Sequence, residues 1–108
     1  MSTEWEVIVF DKEGTDRSLV RPAHVAAIPE AVNKGIVNSA GAIYTDASKS
    51  KFAGSAFHII ADSKEEIIEF LKQDVYYKEG IWDINSVIAY PLGVAVRLPK
   101  KMDGVNKF

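Results

Sequence analysis

The run from Trp5 to Phe10 is apolar on both of its sides. Its Val, Ile and aromatic content predicts a β-strand. Alternation then puts Trp5, Val7 and Val9 on one side and Ile8 and Phe10 on the other. A sheet with one face open to water alternates apolar and polar residues instead. The chain must therefore cover this strand twice. If its helices form one layer, the second face is left for a partner.

The rest of the chain supplies those helices. Asp11 to Ser18 is polar, contains Gly14, and predicts a loop. Pro22 suits the first turn of a helix, and Val25, Ile28 and Val32 follow at the spacing of one helical face. Pro29 should kink this helix or loosen its middle turn, and Gly35 should stop it. Ile36 to Tyr44 predicts a second strand, with Gly41 as a weak point or bulge. A polar turn over 45–51 leads to a third strand over Gly54 to Ala61. Ser63-Lys-Glu-Glu66 has capping-box spacing, in which the Ser63 hydroxyl and the Glu66 carboxylate satisfy reciprocal backbone donors. Ile67, Ile68 and Leu71 form the apolar stripe of the helix it opens. Asp74 can cap a further short turn that ends near Gly80. Ser86 to Val96 predicts a last strand, bent or bulged around Pro91 and Gly93.

The order β-α-β-β-α-β predicts a ferredoxin-like α+β fold: one four-stranded antiparallel sheet with two helices on one face. The second face is then covered most simply by a second copy, which would enclose a cavity or groove at each protomer. Residues 1–98 form the domain. Residues 99–108 form a polar tail or an arm that covers a sheet edge.

Composition narrows the function classes. A chain of 108 residues is one domain, marginal enough in size that association would help it. Its net charge of −2 is interspersed, and Lys100-Lys101 is its one basic cluster. That argues against a nucleic-acid surface. The absence of cysteine excludes disulfide and thiolate chemistry. No signal pattern opens the chain, and no apolar run approaches the ~20 residues of a membrane span. The reading is a soluble, cytoplasmic protein with no membrane partner.

Two ionisable residues sit at predicted helix boundaries, His24 and Asp74. If the fold brings them together they form a proton-transfer pair. A helix N-terminus opposes charge on His24 and leaves the ring able to act as a base. An adjacent Asp74 would push the other way and fix the tautomer. Each also has a plainer role: His24 can pack on its helix, and Asp74 is a good N-cap. Arg21 can hold an anionic ligand group or pair with Asp16 or Glu30. Ser55 can donate to a ligand oxygen or bond backbone; it lacks the Gly-x-Ser-x-Gly elbow of a nucleophile. Tyr76, Tyr77 and Trp82 can line a pocket or fill an interface. His58 reads as a packed or surface residue. No metal-ligand spacing and no glycine-rich phosphate loop occur, so no metal or cofactor is expected.

The motifs in order resemble the YCII-related family of small α+β proteins. They are Arg21-Pro-Ala-His24, Gly35, Ala40-Gly41, Phe52-Ala-Gly54-Ser55, Ala61-Asp-Ser-Lys-Glu-Glu66, Asp74-Val-Tyr76 and Gly80, spread over residues 4 to 98. The resemblance implies a dimeric α+β barrel with a pocket in each subunit. It also implies a histidine–aspartate active centre at His24 and Asp74, with Ser55 beside the pocket and Arg21 one turn before the histidine. Val75 stands where the family commonly has proline. Some members are similar to enzymes that eliminate halide from, or isomerise, small ring compounds. The expectation is a homodimeric, cofactor-independent lyase or isomerase. In it His24 takes a proton, Asp74 orients the ring, and Arg21, Ser55 and Tyr76 contact a cyclic or carboxylate ligand. The alternative is a non-catalytic metabolite-binding or accessory dimer.

Overall fold

The computed structural model describes residues 2–107. Four strands, β1 (Thr3–Asp11), β2 (Val37–Tyr44), β3 (Phe52–Ala61) and β4 (Trp82–Pro91), form one sheet in the order β2-β3-β1-β4. All three pairings are antiparallel. Helix α1 (Arg21–Asn33) joins β1 to β2, and α2 (Lys64–Leu71) with the short α3 (Val75–Lys78) joins β3 to β4. Each connection skips one strand position, which is the expected ferredoxin-like α+β topology. Among the described residues no helix is long and apolar enough to cross a membrane.

The core lies between the sheet and the helices. Val7 and Val9 of β1 are fully buried there and stand opposite Phe57 and Ser55 of β3. Ile67 and Leu71 of α2 are fully buried against them. The Ser63 hydroxyl accepts from the Glu66 amide and starts α2, as the capping-box spacing predicts. The return bond differs: the Glu66 carboxylate accepts from the Asp62 amide instead of that of Ser63.

The structure departs from the sequence pattern in β2 and β4, while helix α1 runs through Pro29 as one element. Its Val25–Ile28–Val32 stripe is only half-buried, and the one buried residue of α1 is His24. The register of β2 shifts at Val37/Ser39 and Ile43/Tyr44, not at Gly41. β4 begins at Trp82 and ends at Pro91, whose missing N–H suits the end of a ladder. Its irregularity lies earlier. Residues between Asp83 and Ile88 stand opposite the single step from Ile8 to Phe10. There the Ser86 hydroxyl accepts from the Phe10 amide, replacing a strand partner.

On the other face Ile8 pairs with Ile88 and Ala56, and Phe10, Ile88 and Tyr90 are exposed. The segment after Pro91 crosses this face. Arg97 pairs with Glu4, whose carboxyl it holds below its usual range, and Arg97 Nη2 also donates to His58 Nδ1. Asn33, the last residue of α1, donates from Nδ2 to the Gly104 carbonyl and accepts on Oδ1 from the Asn106 amide. The segment 92–107 is therefore an arm pinned at both ends.

Gly54 of β3 stands opposite Phe10 of β1. A Cβ there would overlap the Val9 carbonyl oxygen and lie 2.9 Å from Phe10 Cα. Gly54→Ala should cost about 1–3 kcal/mol of stability, measured by urea unfolding, because backbone must move.

Candidate active site

α1 delivers His24 into the helix layer, and α3 delivers its counterpart. Asp74 takes extended backbone at the start of α3, where Oδ1 accepts from the Tyr76 amide at 2.9 Å. Both Asp74 oxygens lie 2.9 Å from His24 Nδ1. The carboxylate only accepts, so Nδ1 carries the proton and the neutral ring keeps its lone pair on Nε2. Nε2 has no hydrogen-bond partner among the described residues. Asp74 is thus both cap and histidine partner, and the cap forms with Val75 in place of a proline.

Aromatic rings fix the imidazole on its remaining sides. Tyr76 stacks on it with centroids 4.0 Å apart, and Trp82 and Phe57 meet it edge-on at 5.8 and 6.4 Å. Tyr76 and Trp82 belong to the core of the chain itself. Burial holds the Tyr76 phenol above its usual ionisation range, with Asp11 and Asp74 adding to the effect and Arg17 and Arg21 opposing it. Its hydroxyl is buried without a partner among the described residues.

Behind Tyr76 lies Arg17, which no sequence pattern singled out. Only 2% exposed, it places its guanidinium 4.4 Å from the Tyr76 ring centre. Asp11 holds it bidentately at 3.0 and 2.7 Å, and it donates to Ser55 Oγ at 3.0 Å. The partners come from β1, β3 and α3, so nothing local in the sequence could reveal them. Ser55 is consequently engaged with Arg17, while Arg21 is exposed. Both surface partners considered for Arg21 are taken: Glu30 pairs with Lys34, and Asp16 caps the turn at Ser18. Arg21 lies instead over the Phe52 ring at 5.8 Å.

His24 lines two cavities. One of about 320 Å³ runs between α1 and α2 past Asp74, Phe57 and Phe70. The other, about 470 Å³, is lined by Arg17, Arg21, Tyr76, the β2 segment Asn38–Ala42 and Lys100 to Met102 of the arm. Ser55 lines neither. His58 lies apart, bonded to Glu6 at 2.6 Å on the opposite face of the sheet. No cluster of three metal-ligating side chains occurs among the described residues.

Arg17→Met leaves the Asp11 carboxylate without its buried countercharge. The loss of stability should be about 3–5 kcal/mol by urea unfolding, and Asp11→Asn in the same chain should restore part of it.

No family model matches the chain. Its fold is similar to the 5-chloro-2-hydroxyhydroquinone dehydrochlorinase (TftG) of Burkholderia phenoliruptrix AC1100, solved with 2,5-dihydroxybenzoquinone. The TM-score is 0.65 at 20% identity, over 83% of this chain and 93% of that one. In sequence it is 33% identical over 106 residues to aspercryptin biosynthesis cluster protein B of Emericella nidulans, covering 91% of this chain and 68% of that protein. The chain belongs to the family of that cluster protein.

Proposed function

We propose that the protein is a YCII-like small-molecule enzyme of lyase or isomerase type, with His24 as general base. The observation that carries this reading is the His24–Asp74 hydrogen bond beside a Nε2 that has no partner among the described residues. Nε2 takes a proton from a hydroxyl or carbon of a small ring substrate. The freed electron pair moves into the ring. It then either expels an anionic leaving group or collects a proton at another carbon. Neither course changes the oxidation state overall, so the scheme calls for no redox partner. Asp74 holds the ring and balances the imidazolium that forms. Arg21, at the mouth of the larger cavity, holds an anionic substituent. The fold shared with a dehydrochlorinase supports a substrate of hydroxylated-ring type.

The assay is chloride release from 5-chloro-2-hydroxyhydroquinone, with a panel of hydroxylated aromatics behind it. His24→Gln retains a donor for Asp74 but has no base. It should lower turnover ~10²–10⁴-fold. Asp74→Asn keeps an oxygen for the α3 cap and removes only the charge, and should also slow turnover. Full activity in His24→Gln would end the proposal. Binding without turnover in the intact protein would leave a metabolite-binding module.

We further propose a homodimer through the sheet face that carries Ile8, Phe10, Ile88 and Tyr90. Phe10, Ile88 and Tyr90 are exposed there beside half-buried Ile8, and this apolar surface supports the assembly. Ile88→Asp should convert a dimer to a monomer in sedimentation velocity; an intact protein that sediments as a monomer would remove the proposal.

A further inference from the structure

The arm brings Lys100 and Lys101 to the larger of the two cavities that His24 lines, where Arg21 is also a lining residue. Their placement is not left to a loose chain. Before them, Arg97 is fastened to Glu4 and His58. After them, both polar atoms of the Asn33 amide are used on the Gly104 carbonyl and the Asn106 amide. Met102 turns the chain between the two, its carbonyl accepting from the Val105 amide. Neither lysine has an ion-pair partner among the described residues, and neither does Arg21. His24 lines this cavity as well as the smaller one.

From this placement we infer that the arm is part of the substrate site, and that Lys100 and Lys101 select ring compounds bearing negative charge. The inference rests on His24 marking the site. It assigns to residues outside the histidine–aspartate pair the discrimination between anionic and neutral rings. Three cations around one opening raise the local concentration of an anion and hold its charged edge. Both lysines are exposed, but the arm's two fastenings hold the backbone that carries them, so less chain freedom is lost when an anion binds.

The test is calorimetric binding of two probes to the full chain at low salt: 2,5-dihydroxybenzoquinone, which is anionic at neutral pH, and hydroquinone, which is neutral. The intact protein should prefer the anion, and added salt should erode that preference. Lys100→Ala with Lys101→Ala should weaken the anion roughly three- to thirty-fold and leave hydroquinone unchanged. Arginine at both positions should keep the preference. Asn33→Ala should reproduce part of the loss and speed hydrogen exchange at the Asn106 amide. In His24→Gln the preference should persist whether or not the protein turns over any substrate, which separates a wrong arm assignment from a wrong base. Equal weakening of both probes, no weakening of either, or no anion preference in the intact protein would overturn the inference.

Discussion

Helix α1 meets the interior through an imidazole. His24 is its one buried residue, and the apolar side chains on the same helix are only half-covered. An ordinary surface helix docks by a wide apolar stripe. Here half-covered Ala31 and Val32 pack on the core, and the one buried anchor is His24, with its hydrogen bond to Asp74 and ring contacts with Tyr76, Trp82 and Phe57. Both cavities lie beside that anchor, and Ile28 of the same helix lines each of them. The residue that anchors α1 thus also borders the open space around it.

A graded series of charges runs through the layer. Asp11 binds Arg17, Arg17 lies on Tyr76, Tyr76 lies on His24, and His24 binds Asp74. Anions close both ends, and the cation and the imidazole are separated by the thickness of one phenol ring. Cation–π contact of this kind contributes about 0.5–2 kcal/mol and is directional. It fixes the plane of Tyr76, and through stacking the plane of the imidazole. Ser55 completes the series by accepting from Arg17, which explains its burial without giving it a substrate contact.

The parts of this arrangement differ in how far they could be read from residues alone. β1, β3 and α2 were legible because alternation, apolar runs and a capping box are local signals. The Asp74 cap was legible for the same reason. The meeting of His24 with Asp74 was not local; it followed only from a resemblance that orders motifs along the chain. Arg17 gave no signal because its partners are Asp11, Ser55 and Tyr76, on three elements that only the fold assembles. The bounds of β4 shifted because its irregular part lies opposite Ile8 and Phe10, a pairing invisible within β4 itself. The apolar spacing in α1 was real, but its stripe is shared: Val32 packs on the core, while Val25 and Ile28 line the cavities.

One oxygen of Asp74 serves two masters. Oδ1 accepts from the Tyr76 amide, which starts α3, and also faces His24 Nδ1. α3 is a single turn of four residues. Isolated helical turns wind and unwind within about a microsecond. Fraying of α3 would withdraw both the carboxylate from the imidazole and the phenol stacked upon it. One short turn thus carries the cap, the partner of the imidazole and the ring stacked on it, so these contacts stand or fall together.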